Sequence, residues 1–211
     1  MLKAVNPSVK RLARGLTDPR PRARLDSLHF LELLGEDAGP AADAIIKAMC
    51  DPNPFVRWAA ARTIGKLRPP KPERAIPPKP EKAVPALAAL LKDSDIDVRL
   101  AAAATLELYG PRAAGAVDAL IYCLKVGDPS IRRAAMRTLL SIGPPALRAI
   151  PALIELLSNS EAQLRQGAAE TLGRFGRSAR QAVPALRKLL NDSDADVRKA
   201  ASEALLNIEG S

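Results

Sequence analysis

Six arginines give this sequence its first chemical signal. Arg24, Arg57, Arg99, Arg132, Arg165 and Arg198 each follow a small or branched apolar residue, at intervals of 33, 42, 33, 33 and 33. A row of guanidinium groups could bind phosphates, because each offers a planar fork of donors. Regular recurrence in every unit is instead what a structural part looks like. Arg133 and Arg137, four apart on one helix face, could grip a carboxylate or phosphate, and a solvated basic face is the plainer account. Trp58 is the one tryptophan in a chain with 3% aromatic residues. It either anchors a partner or covers a gap beneath the neighbouring proline-rich segment.

Other chemistry finds little to stand on. His29 is the sole histidine, and Cys50 and Cys123 lie 73 positions apart. Zinc wants three or four converging ligands, and neither a G-x-S-x-G elbow nor a phosphate-cradling G-x-x-x-x-G-K-[ST] loop is present. No catalytic residue, cofactor or metal ligand is therefore expected. His29 reads as a solvent-edge side chain and the cysteines as buried, reduced thiols.

These residues must be positioned by helices. The long interval equals 33 plus 9, and the surplus falls in RPPKPERAIPPKPEK at 68–82, so the chain holds six units and one insertion. Each unit opens with an apolar helix, such as AVPALAALLK at 83–92, whose leucines recur at helical spacing. A polar turn follows, with Asn53, Asp95, Asp128 or Asp194 placed to cap a second, alanine-rich helix. Pro21, Pro54 and Pro129 occupy its first position, where a missing N–H costs nothing. Gly35, Gly110, Gly143 and Gly176 end it, which predicts left-handed C-caps. Three positions after the arginine stand Ser27, Ala60, Ala102, Ala135, Ala168 and Ala201, small enough for helices to approach to about 8–10 Å. Seven positions after it stand Leu31, Ile64, Leu106, Leu139, Leu172 and Leu205, which fill a shared core. The expected fold is all-α: an α-solenoid (an α-α superhelix) of six helical hairpins in one domain over 1–211. The repeats run approximately over 5–36, 38–68, 81–112, 114–145, 147–178 and 180–211. A Pro-rich loop at 69–80 is expected to be extended, with Arg74, Pro77 and Pro80 in an R-x-x-P-x-x-P arrangement.

In its detail the pattern resembles the HEAT repeat, in the short form known as the phycobilisome-lyase HEAT-like repeat. That family carries a proline in the first helix, an aspartate eight residues later and an arginine six after that. Pro85, Asp93 and Arg99 match it, as do Pro184, Asp192 and Arg198. Pro151 and Arg165 match with Asn159 replacing the acid. The first two units keep Asp18/Arg24 and Asp51/Arg57, and the fourth keeps only Arg132. The resemblance implies a ladder of Asp18, Asp51, Asp93 and Asp192 with Arg24, Arg57, Arg99, Arg132, Arg165 and Arg198 along the stacked turns. It also implies that the second helices line a concave, partner-binding face. The family's iron hydroxylases need several His-Glu pairs that this chain lacks, and its DNA glycosylases use more tryptophans.

Positions one and five after the arginine share the helix side turned from the core. They nominate Leu25, Trp58, Arg62, Leu100, Arg133, Arg137 and Lys199 as partner-binding residues on the concave face. The expected function is a non-enzymatic protein-binding scaffold or adaptor whose partner is another protein. Two alternatives stand beside it: nucleic-acid (phosphate) binding, given a formal charge of +9, and a bilin lyase-type subunit, since chromophore lyases carry these same short repeats. No membrane association is expected, because no run approaches the roughly 18 apolar residues of a span. Composition and cysteine usage suggest a bacterial, cytoplasmic protein.

Overall fold

A computed structural model describes residues 7–67 and 79–210, and among these every regular element is helical. Six hairpins follow one another: α1 (Pro7–Gly15) with α2 (Pro21–Leu34), α3 (Ala42–Ala48) with α4 (Pro54–Lys66), α5 (Pro80–Leu90) with α6 (Ile96–Tyr109), α7 (Val117–Val126) with α8 (Pro129–Ile142), α9 (Ile150–Leu156) with α10 (Ala162–Arg174), and α11 (Val183–Leu189) with α12 (Ala195–Glu209). The fold is an α-solenoid. Its contacts divide into two compact units, Met1–Tyr109 and Gly110–Ser211, with three hairpins each. The insertion, with Arg74 and Pro77 of its R-x-x-P-x-x-P arrangement, lies outside the described residues up to 78. Helix α5 begins at Pro80, inside the segment expected to be loop. Lys79 precedes it with φ 51°, and both Lys79 and Lys82 donate to the Asp43 carboxylate on α3.

Local chemistry sets the helix ends. Asn53, Asp95, Asp128 and Asp194 accept hydrogen bonds from the backbone N–H groups two and three residues on, at 2.9–3.4 Å. This satisfies donors that a helix start leaves unpaired. The C-terminal glycines all have positive φ, but the expected left-handed helical cap is not what Gly35 and Gly143 adopt. Their ψ values of −124° and −137° place them in mirror-image extended backbone, which a side chain would forbid. That bend feeds an element the hairpin reading omitted, a 3-10 segment at Gly35–Ala41, Gly110–Ala116, Pro144–Ala149 and Gly176–Ala182. Three residues per turn superpose every third side chain. Accordingly Ala38 and Ala41, Ala113 and Ala116, Ala146 and Ala149, and Ala179 and Ala182 are all buried to 1% exposure or less.

Within each unit the second helices stack, α2 on α4 on α6 and α8 on α10 on α12, while each first helix backs its partner. Ala60, Ala102, Ala135, Ala168 and Ala201 are fully buried, as are Ile64, Leu106, Leu139 and Leu172. Each such aliphatic side chain contributes about 1.5–3 kcal/mol by leaving water. Thr63, Thr105, Thr138 and Thr171 add a buried polar row, in which Thr105 Oγ1 reaches across to the Ala61 carbonyl of the preceding hairpin at 2.8 Å. The two cysteines differ: Cys123 is buried, but Cys50 is exposed, because it falls in the turn after α3 rather than on that helix's inner side.

The turns are tied by the repeated arginines. Arg24, Arg57, Arg99, Arg165 and Arg198 each donate Nη1 to the carbonyls six and five residues earlier, at 2.7–3.1 Å. Arg24, Arg57 and Arg165 are also seen to reach the acid of the next turn. Arg24 meets Asp51 at 2.6 Å, Arg57 meets Asp93 at 2.6 Å and Arg165 meets Asp192 at 2.7 Å, with every carboxylate side chain 8% exposed. Those carboxylates also accept a backbone N–H two residues on, so one acid shapes its own turn and receives the neighbour's arginine. Asp18, at the first turn, is clasped instead by Arg20, whose hydrogen bonds hold it down at about 2. Arg132 is the exception. Its turn is the shorter Gly127–Asp128, its Nη2 reaches only the Lys125 carbonyl at 3.3 Å, and its buried Nε finds no partner among the described residues.

Candidate partner-binding face

With the core and the turns committed to holding hairpins together, the chemistry left over lies on the outward side of the second helices. In the first unit this side carries Trp58, one turn into α4. Pro54 starts that helix and Asn53 caps it, so Phe55 and Trp58 project from its first turn. Phe55 is 67% exposed and Trp58 is half-buried. The Arg62 guanidinium sits 4.4 Å from the Trp58 ring centroid and is steadied by Glu32 at 3.0 Å. This cation–π arrangement fixes the ring. Pro54, Phe55 and Trp58 line a pocket of about 280 Å³ whose other wall is Asp95 and Asp97 of α6. The Asp97 carboxylate has no partner among the described residues.

In the second unit a cleft of about 460 Å³ runs between α8 and α10. Met136, Leu140 and Gly167 line it together with Arg133, Arg137 and Arg174. Arg133 donates to Gln163 Oε1 at 2.7 Å, and Gln166 donates to Glu170 Oε1 at 2.9 Å. The polar groups are therefore partly pre-positioned by one another. Both depressions suit side chains of another molecule held by stacking and charge.

Of the residues nominated from sequence, Trp58 and Arg62 meet in the first unit, and Arg133 and Arg137 meet in the second. Leu25 and Leu100 are half-buried on their helices and line neither depression. Lys199 is exposed and stands 4.0 Å from Glu203. Sequence reasoning missed Phe55, Arg174, Gly167 and Met136. Phe55 left a readable signal: two positions before the repeated arginine, the other units carry Arg22, Asp97, Ser130, Gln163 and Asp196, all polar. Arg174 left none, because it enters the cleft from the far end of α10. No described helix is long and apolar enough to cross a membrane.

Sequence comparison adds to this geometry. A family model described as HEAT repeats matches residues 84–161 and 150–211, a second described as HEAT repeat matches 42–67, and one described as PBS lyase HEAT-like repeat matches 56–93. No curated protein matches. Among solved structures, an engineered protein aligns at TM-score 0.71 and 22% identity, over 98% of this chain and 100% of its own. A designed armadillo repeat protein in complex with the peptide (KR)4 aligns at TM-score 0.71 and 17% identity, over 95% and 99%. The complex of CpcE and CpcF of phycocyanin lyase from Nostoc sp. includes a chain aligning at TM-score 0.60 and 25% identity, over 96% of this chain and 77% of that one.

Proposed function

Because the chain belongs to the HEAT repeat family, we propose that it is a non-enzymatic scaffold that binds another protein through the outward side of its second helices. One observation carries the reading. Trp58 and the largely exposed Phe55 stand side by side at an open pocket, with Arg62 over the indole. Exposed aromatics at a depression have no stabilising purpose within the chain, and such residues anchor protein interfaces. The similarity to a designed armadillo repeat protein that holds a peptide supports a peptide-like occupant.

The test compares the intact chain with Trp58→Ala and with Arg133→Glu/Arg137→Glu as baits, after circular dichroism shows that all three fold alike. The expected result is a defined protein retained by the parent and lost from at least one variant. Equal recovery by all three refutes the site. A salt titration of the retained complex separates a protein partner from nucleic acid, whose phosphate contacts weaken steeply as salt rises.

A second reading is a bilin lyase-type subunit. It is favoured by the PBS lyase HEAT-like match and by the similarity to the Nostoc lyase complex. A visible absorption band that co-purifies with the chain, or that appears on mixing with a bilin, is its expected signature. A chain that stays colourless under both conditions rejects it.

A further inference from the structure

The cleft between α8 and α10 is lined at one point by a departure from the repeat. Two positions after the repeated arginine, four units carry Ala59, Ala101, Ala134 and Ala200, but the fifth carries Gly167. A Cβ there would stand 2.9 Å from the Met136 methyl. Without it the floor drops to Met136 and Leu140, an apolar strip within a basic rim. Around that rim Arg133, Arg137 and Arg174 supply three guanidinium groups against a single carboxylate, Glu170. Arg133 donates one nitrogen to Gln163 and another to the Ser130 hydroxyl, and Arg174 has no partner among the described residues.

We propose that this cleft takes a short acidic segment of a partner protein, with carboxylates on the arginines and one aliphatic side chain on the Met136–Leu140 floor. The inference rests on the partner-binding reading above and specifies the partner's chemistry at this unit. Charge complementarity selects the sign, because a planar guanidinium grips a carboxylate through two parallel bonds. The protein-binding reading selects a peptide, whose aliphatic side chain the floor would remove from water; the oligothymidine arm below tests a nucleic acid in its place. A volume of about 460 Å³ matches a few side chains rather than a helix face.

The test uses the full chain and fluorescence anisotropy with three labelled probes: an eight-residue peptide of alternating glutamate and leucine, its lysine–leucine counterpart, and an oligothymidine of equal charge to the first. The acidic peptide is expected to bind at least ten times more tightly than the other two. Arg137→Glu and Arg174→Glu should each weaken it tenfold or more. Glu170→Gln should strengthen it several-fold, which a merely structural role for Glu170 would not do. Arg148→Glu, in the 3-10 segment beside Asp118 and outside the cleft lining, should leave it unchanged. Equal or tighter binding of the basic peptide or the oligothymidine overturns the proposal, as does insensitivity to both Arg174→Glu and Glu170→Gln. If these fail while Trp58-dependent protein capture persists, the acidic partner is rejected and the scaffold stands. Loss of that capture as well rejects both.

Discussion

The turn at Asp192 is held from two sides, which allows the ladder to be weighed against an internal control. Arg165 donates Nε and Nη2 to the Asp192 carboxylate at 2.8 and 2.7 Å and Nη1 to the carbonyls of its own turn at 2.9 and 3.0 Å. Arg198 makes only the second kind of bond, to the Asp192 and Ser193 carbonyls at 2.7 and 3.0 Å. Arg165→Met and Arg198→Met each remove one turn tie and keep the aliphatic stem. For Arg198 the freed carbonyls are near solvent and rehydrate, so the cost is about 1 kcal/mol. Arg165→Met also strands a carboxylate that is only 8% exposed. Breaking one side of a buried pair costs about 3–5 kcal/mol, and access of water at the protein edge lowers the total for Arg165→Met, its turn tie included, to about 3 kcal/mol. The difference between the variants, about 2 kcal/mol, is the contribution of the charge pair. With a urea slope near 2 kcal/mol/M, the midpoint of Arg165→Met should fall about 1 M below that of Arg198→Met. Asp192→Asn keeps the acceptor that shapes the turn and loses only charge, so adding it to Arg165→Met should recover part of the loss. Midpoints for the two arginine variants within 0.2 M of each other would refute the claim that cross-turn pairing stabilises the stack.

Three further outcomes are expected. The Asp93 and Asp192 carboxyls are held below the usual range by hydrogen bonds from Arg57 and Arg165. Their stabilisation is therefore complete above the unfolded carboxylate value of about 3.9 and is lost as pH falls through the lower folded values. Urea midpoints should drop between about pH 5 and 2, and Asp192→Asn should show a shallower drop; an unchanged slope would contradict the assignment. Gly143→Ala meets no atom within 4 Å but must adopt φ 73°, so it should cost about 1–3 kcal/mol through backbone strain alone, read by thermal unfolding. Gly173→Ala would put a Cβ 2.8 Å from the Ala204 Cα, forcing α10 from α12. It should cost about 1–2 kcal/mol net of the better helix propensity of alanine. Combining it with Ala204→Gly should recover less than a tenth of the loss if the backbone contact dominates and most of it if the Cβ contact, at 3.0 Å, dominates; both outcomes are read from the same double-mutant cycle.

How much of the site was legible follows from range. Trp58 and the Arg133/Arg137 pair could be found because a repeat makes an odd residue conspicuous against its equivalents. Phe55 could have been found in the same way. So could Gly167, against Ala59, Ala101, Ala134 and Ala200. Arg174 could not, since its value lies in facing Arg137 across a space between two helices, which no single helix encodes. The 3-10 segments lie between these cases: a buried alanine pair three apart follows each of the four glycines, a period of three that helical and strand patterns do not share.

The sequence by itself determined the period of 33, the capped starts, the glycine stops and the inward register of alanines and leucines. Each of these is settled within a turn or two of chain, by hydrogen bonds and φ angles that neighbouring residues supply. Tertiary structure alone decided which acid each arginine meets: Arg24 pairs 27 residues on, at Asp51, while Arg57 passes over the insertion to Asp93, 36 residues on. That Arg132 meets no acid was legible, because Asn159 stands 27 residues on, where Arg24 and Arg165 find Asp51 and Asp192; tertiary structure decided that its buried Nε has no partner among the described residues. Those choices depend on how closely one hairpin settles on the next, and that distance is set by packed volume, which no residue carries alone.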